Sequence, residues 1–413
     1  MNIKILYVSH DGMTDPLGQS QVLPYIFGIA KKIKCSFYLI SCEKPDRFKQ
    51  QKERIETICR ENGVEWFPVP YHKRPPIIAT LWDLRSMRQL AVKLQKKVGF
   101  SAVHCRAHMG GTIGLYLNKK FGIPIINDIR GFWADEKVDA GAWNRSNPVY
   151  NRVYKYFKKV ERDLIVKASQ QICLTYKAQK EIETWPFAKE LTNITVIPCC
   201  VDTNLFAQNN ITESEKTAFR KELNIGANDT ILTYLGSIGS WYMLEEMLDF
   251  FYCFQKRFPN SKFLFLTFDQ HKGILDAAGK RGIAIESIIL RGAQRREVPV
   301  FLSISHASVF FIRPCYSKLS SSPTKQGEIM AMGIPVICNE GVGDTDMIVR
   351  KYHSGILINE FSEKAYSEGI EELLVFKNSP EDIRKGALNY FSLEDGINKY
   401  VGLYKKVLNV NGN

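Results

Sequence analysis

Twice in this chain an apolar strand runs into a glycine-containing loop and then into a helix. Ile3–Val8 leads to the polar loop His10–Ser20, which holds Gly12 and Gly18. Val22–Lys32 follows, with Val22, Leu23, Ile26, Phe27 and Ala30 on one side, as a helix requires. Thr230–Leu235 leads in the same way to Gly236-Ser237-Ile238-Gly239-Ser240 and an apolar helix over Leu244–Phe258. Strand, glycine loop, helix is how a parallel α/β unit begins, because parallel strands need a crossover between them. Further strands are expected at Cys35–Ser41, Glu65–Val69, Val103–Arg106, Ile123–Ile126, Gln171–Leu174 and Ile194–Pro198. In the second half they fall at Phe263–Thr267, Ile288–Leu290, Ala307–Ile312, Pro335–Cys338 and Gly355–Ile358. Helices are expected near Pro45–Asn62, Tyr150–Lys167, Glu363–Phe376 and Leu393–Leu408, and Ala107–Gly111 reads as a turn. The fold class is therefore α/β, with two Rossmann-like parallel-sheet domains facing across a cleft. The division expected is residues 1–206 and 207–413, with the polar stretch Ala207–Glu215 as linker and the last helix packing back on the first domain. A ligand between two such domains is the default.

A length of 413 residues supports two full cores, and 45% hydrophobic with 24% charged residues suits a globular chain. No apolar run reaches a membrane span, and MNIKILYVSHDG reads as a first strand rather than a signal peptide. Ten cysteines are scattered without CxxC, which suits reduced thiols and a cytoplasmic location. Residues 1–200 hold 32 Lys+Arg against 18 Asp+Glu, whereas residues 201–413 hold 24 against 25. The basic half attracts an anionic membrane surface or an acidic substrate, or is simply a solvated basic surface. Within it, His72-Lys73-Arg74 precedes a helix carrying Arg85, Arg88, Lys93, Lys96 and Lys97 among Leu81, Trp82, Leu84, Met87, Leu90 and Leu94. That pattern suits either a peripheral lipid contact or a stripe packed on its own sheet. No nucleic-acid module is recognisable, so nucleic acid is not an expected partner.

The stretch Cys315–Gly343, CYSKLSSSPTKQGEIMAMGIPVICNEGVG, carries the most chemistry. Ser322 is expected to cap a helix whose first residue is Pro323, and Gly333 to end it in a left-handed conformation. The free N–H groups of the helix start suit a phosphate, with Ser321, Ser322, Thr324 and Lys325 around it. Glu328 shares the Lys325 side of the helix and lies about 9 Å along the axis from the cap. That is the span from a diphosphate to a ribose, whose diol a carboxylate can accept. This element is expected to grip a nucleotide diphosphate. Gly18 and Gly236 would let the two loops approach it, and Ser237, Arg291 and Arg313 are further candidates for the donor. The first loop has no full GxGxxG and so is not a dinucleotide fingerprint.

In open α/β sheets ligands bind at the carboxyl ends of the strands. The polar residues there in the first half are His108, Asp128, Arg130, Asp135 and Glu136. Asp128 and Arg130, beside a Gly-aromatic turn, are the candidates for chemistry on the acceptor; they could equally pair only with each other.

VIPCCVDTNLF resembles the IPNGVD…F segment of glycosyltransferase family 4, and SSPTKQGEIMAMGIPVI resembles that family's SPTKxxExxAxGxPVI donor segment. PLGQSQVLPYIFGIAKK and YLGSIGSWYMLEEM stand where the family has its two glycine loops. The resemblance implies the GT-B fold, a UDP- or GDP-sugar as substrate, retention of configuration, and neither metal nor cofactor. It places Glu328 on the ribose. The family's paired glutamates would need Glu at position 320, where Ser320 stands; Ser237 and Tyr242 occupy places often held by Arg and Lys. Where many members carry a His, Arg130 stands, and arginine cannot act as a base. The function expected is transfer of a sugar to an acceptor hydroxyl, such as a glycan or lipid-linked acceptor in surface polysaccharide synthesis. A non-catalytic sugar-nucleotide-binding subunit and a GT-B sugar-nucleotide epimerase are the alternatives.

Overall fold

The computed structural model describes residues 3–189, 191 and 193–409. The chain forms two compact units, Met1–Pro198 with Leu393–Asn413 and Cys199–Ser392. In the first unit seven strands make a wholly parallel sheet: β1 (Lys4–Val8), β2 (Ser36–Glu43), β3 (Val64–Pro70), β4 (Ala102–Arg106), β5 (Ile125–Asp128), β6 (Gln170–Cys173) and β7 (Ile194–Val196). Their order is β3-β2-β1-β4-β5-β6-β7, so the strand order reverses between β1 and β4. The inner strands are buried almost throughout, as Leu6, Val8, Ile40, Val103, Cys105 and Ile125 show. Strands covered on both faces read as continuous apolar runs rather than alternating ones.

Three sequence expectations change here. The loop after β1 is shorter than expected, because Pro16 starts a helix over Pro16–Gln21 ahead of Leu23–Ile33. The expected turn at Ala107–Gly111 is the start of the helix Ala107–Phe121, entered directly from β4 through Ala107 at φ +56°. Asp128 is the last residue of β5 rather than part of the loop beyond it. The helix Leu393–Leu408 belongs to this unit and presents Tyr400 and Tyr404 to its interior.

The second unit holds β8 (Thr230–Leu235), β9 (Ser261–Leu266), β10 (Ile288–Arg291), β11 (Ala307–Phe310), β12 (Val336–Asn339) and β13 (Gly355–Ile358), in the order β10-β9-β8-β11-β12-β13. All its pairings are parallel. Its core is aromatic, with Phe250, Phe251, Phe254, Phe263, Phe265, Phe301 and Phe310 fully buried. The stretch expected as linker is instead folded into this unit. Phe206 lies in the core, Gln208 donates from Nε2 to the Met332 carbonyl at 2.5 Å, and Glu213–Glu222 is a helix with a complete capping box at Thr212 and Glu215. Pro380–Phe391 is a helix the sequence reading passed over, capped by Ser379 accepting from the Asp382 amide. All ten cysteines are free thiols. Among the described residues no helix is long and apolar enough to cross a membrane.

Candidate functional site

In the second unit the loop after β8 is stitched to the chain leaving β11. Met243 N–H donates to the Phe311 carbonyl at 3.0 Å, Tyr242 bridges to Ile312, and Arg313 N–H donates to the Trp241 carbonyl at 3.0 Å. Asn339, at the end of β12, holds the other side of that chain through both the amide and carbonyl of Ile312, at 2.8 and 2.9 Å. Gly236 opens the loop at φ +114°, where a side chain is strained. A Cβ there would come within 3.2 Å of the Lys325 Nζ, so the glycine lets the loop lie directly on that lysine.

The helix expected within Cys315–Gly343 runs from Thr324 to Ala331. Gly333 follows it at φ +70°, as a left-handed end requires. Its cap differs from the expectation. Pro323, in extended geometry, is the N-cap residue, and no side chain caps the helix. The Ser322 hydroxyl accepts instead from the Cys199 N–H at 3.1 Å. Lys325 through Ala331 are all buried, so this short helix is enclosed on every face. Lys325 Nζ donates to the Tyr234 hydroxyl at 3.1 Å and stands 3.6 Å from the Tyr242 ring centroid and 4.2 Å from that of Tyr234. Burial holds its amine well below the ordinary lysine range. Glu328, one turn further on, is also buried, and burial raises its carboxyl while Arg295 and Lys325 pull it back. Arg295 Nη1 donates to Glu328 Oε1 at 2.8 Å. The sequence reading saw Arg295 only within a run of charges; its pairing with Glu328 is a product of the fold.

Trp241 carries two more cations. Lys318 Nζ lies 3.7 Å and the Arg313 guanidinium 4.9 Å from its ring centroid. Lys318, itself buried, was not among the residues singled out of Cys315–Gly343, because it precedes the helix start on which that reading rested. Ser320 turns its hydroxyl to the Ser317 carbonyl at 2.7 Å, and the Ser321 N–H donates to the Lys318 carbonyl at 3.1 Å. Ser237 is exposed, with its carbonyl accepting from the Tyr234 hydroxyl. Thus Gly236, Ser237, Arg313, Ser321, Thr324, Lys325 and Glu328 belong to connected segments of this unit. Arg291 points elsewhere, pairing with Glu222 at 3.0 Å. Gly18 belongs to the first unit, where a Cβ would collide with the Gly12 carbonyl at 2.2 Å. Its bareness lets the helix Pro16–Gln21 lie against the Gly12–Met13 backbone.

A second polar cluster lies at the carboxyl end of β4 and β5. Asp128 faces Arg130 at 3.6 Å, Arg106 at 3.7 Å and His104 at 3.6 Å. The Tyr400 hydroxyl donates to Asp128 at 3.3 Å, and Tyr404 meets His104 Nδ1 at 2.6 Å. Burial alone would raise the Asp128 carboxyl, but Arg130, His104 and Arg106 together hold it well below the ordinary range. Burial pushes the His104 imidazole below its ordinary value. The other acceptor candidates are engaged locally: His108 with Glu161 at 3.3 Å, and Asp135 with Tyr154 at 2.8 Å and Lys158 at 2.9 Å. Glu136 sits in the first turn of the helix Trp133–Asp139.

Two Rossmann-like parallel sheets of this kind, of seven and six strands, match the GT-B class of glycosyltransferase folds. Residues 215–390 match the family described as Glycosyl transferases group 1, and residues 33–205 match Glycosyltransferase Family 4. Together the two matches span most of the chain, which is glycosyltransferase family 4-like. Sucrose-phosphate synthase from Thermosynechococcus elongatus is 14% identical with a TM-score of 0.75, over 99% of this chain and 100% of that one. A glycosyltransferase from Rickettsia africae gives 14% identity and a TM-score of 0.73, over 99% and 100% of the two chains. Anabaena HepE, solved in complex with UDP and glucose, gives 13% and 0.70, over 98% and 100%. These likenesses are of fold. No curated protein sequence matches the chain.

Proposed function

We propose that this glycosyltransferase takes its sugar from a nucleoside diphosphate sugar, of the UDP or GDP type, and passes it to an acceptor hydroxyl with retention. The observation that carries the reading is the helix Thr324–Ala331, which puts Lys325 beneath the Gly236 loop and Glu328 one turn away. The diphosphate would lie against the helix start and the loop, near Lys325, Lys318 and Arg313, and Glu328 would accept the ribose diol. Burial holds the Lys325 amine below its ordinary range, and a neighbouring anion favours its charged form, so diphosphate and Lys325 strengthen each other. The transfer needs no metal in this scheme, because these cations neutralise the leaving group. A carboxyl held as low as that of Asp128 is a weak base. The leaving diphosphate therefore takes the acceptor proton on the face it departs from. Asp128 positions Arg130 toward the acceptor.

The acceptor is proposed to be a glycan or lipid-linked hydroxyl in surface polysaccharide synthesis, met at an anionic membrane. Ile78, Leu81 and Trp82 are 65%, 60% and 62% exposed on one side of the helix Pro76–Val98, beside exposed Lys73, Arg74 and Arg85. Apolar anchors ringed by cations suit the surface of acidic lipid.

Glu328→Ala is the test. Loss of a charged hydrogen bond pair to the ribose should weaken sugar-nucleotide binding about tenfold to a hundredfold by calorimetry. Unchanged affinity would sink the assignment. Tight binding without product from any acceptor would reassign the chain as a binding subunit, and turnover of donor alone would make it an epimerase.

A further inference from the structure

Four side chains from four segments of the first unit meet at the carboxyl ends of β1, β2 and β3. His10 follows β1, Cys42 is near the end of β2, His72 follows β3, and Asp83 comes from the helix Pro76–Val98. A ring nitrogen of His10, the Cys42 Sγ and an Asp83 carboxylate oxygen all lie within 4.8 Å of one another. Cys42 and Asp83 are almost wholly buried. His10 Nε2 is shielded from solvent and makes no hydrogen bond, although Asp83 Oδ2 faces it at 3.8 Å. That gap is too long for a hydrogen bond between them. Asp83 is fixed from the other side by His72, whose Nδ1 lies 2.5 Å from Oδ1 and whose backbone N–H donates to Oδ2 at 3.1 Å.

We propose that His10, Cys42 and Asp83 bind a divalent cation of the zinc class, with His72 holding the Asp83 carboxylate in place. Donors around a tetrahedral zinc are separated by about 3.3–3.8 Å, given bonds of about 2.0–2.3 Å. The His10–Asp83 separation of 3.8 Å already fits, and since no pair is more than 4.8 Å apart a shift of about 1 Å at most closes the rest. One nitrogen, one sulfur and one carboxylate oxygen make a set that favours zinc over magnesium or calcium, which take oxygen. The His10 and His72 side chains are 22% and 46% exposed, so the fourth position and the way in lie on their side. The Cys42 thiol proton leaves to solvent as the metal–sulfur bond forms. The His10 loop is also anchored independently: Glu43 accepts from the Met13 N–H at 2.7 Å and the Thr14 N–H at 3.0 Å. A cation here would tie three strand ends and a helix together, and the inference does not depend on the donor reading.

The test uses the full-length, tag-free chain, stripped with a chelator and titrated with zinc against a chromophoric competitor. Wild type should take up a single equivalent. Cys42→Ser and His10→Ala should each abolish stoichiometric uptake, and His72→Ala should weaken it about tenfold to a hundredfold. Cys59→Ser, at a buried cysteine that is not one of the three ligands, should bind as wild type. Cobalt(II) in the wild type should show a thiolate-to-metal charge-transfer band, a readout that needs no variant. Circular dichroism of the metal-free variants shows whether each has folded. No stoichiometric uptake by wild type, a cobalt spectrum without the thiolate band, or uptake unchanged in His10→Ala would overturn the proposal.

Discussion

Arg295→Met is the most informative single perturbation of the second unit. The Glu328 side chain is 10% exposed and that of Arg295 34%, with 2.8 Å between their charged atoms. Stranding a fully buried charge costs about 3–5 kcal/mol, whereas an exposed pair contributes about 0–1 kcal/mol. Water reaches Arg295 but scarcely reaches Glu328, so the loss should fall between, at about 2–3 kcal/mol near neutral pH. Methionine keeps most of the stem volume, including the position over the Phe206 ring, where the guanidinium stands 5.3 Å from the centroid. The cost should also depend on pH. Burial already raises the Glu328 carboxyl above its ordinary 4.5, and removing its cation raises it further. A carboxyl raised in the folded state contributes stability that is whole below 4.5 and is lost as pH climbs through the folded value. The variant should therefore approach wild type as pH is lowered from about 7.5 to about 5, because a protonated Glu328 needs no cation. Urea unfolding followed by circular dichroism at both pH values, with hydrogen exchange over residues 215–390 to localise the effect, reads this directly. A loss that is the same at both, or below about 0.5 kcal/mol, would show Arg295 to be an ordinary solvated charge.

Three further expectations rest on separate observations. Gly236→Ala forces a side chain at φ +114° against Lys325, and should cost about 1–3 kcal/mol and weaken donor binding together; neutrality in both unfolding and calorimetry would refute it. Asp128→Asn removes the anion among Arg106, Arg130 and His104, and should cost about 3–5 kcal/mol at neutral pH. Because that carboxyl is depressed on folding, its stability is present above 3.8 and fades as pH falls below it, so the two proteins should converge in acid; a pH-independent gap in melting experiments argues against it. Replacing Leu81 and Trp82 with alanine should reduce co-sedimentation with anionic vesicles, and added salt should weaken what remains; equal binding to neutral vesicles would remove the membrane reading.

The helix and strand within Cys315–Gly343 were legible because their signals are local. Gly333 ends a helix, Val336–Asn339 is an unbroken apolar strand apart from its last residue, and Lys325 with Glu328 share a face by spacing alone. Ser322 misled because a serine before a proline looks like a cap, while the Cys199 amide that claims its hydroxyl is far away in the chain. Distance also hid Arg295 from Glu328, and Tyr234 and Tyr242 from Lys325. The helix Pro16–Gln21 escaped because its Gly18 and short polar residues read as loop, although Pro16 at its first position was a visible signal. His10, Cys42, His72 and Asp83 share no spacing rule, so only the parallel alignment of three strand ends reveals that they meet.

The helix Leu393–Leu408 bears on how the molecule is made. Its Tyr404 hydroxyl meets His104 across 300 residues of chain, and its Tyr400 reaches Asp128 across 272. A ribosome must therefore deliver the whole of the second unit before the first can seal its own interior. Until then β4 and β5 would have their buried histidine and carboxylate open to water, held by Arg106 and Arg130 alone. The unit that begins emerging first is the one finished last, so a fragment ending at Pro198 is an unfinished body rather than an independent domain.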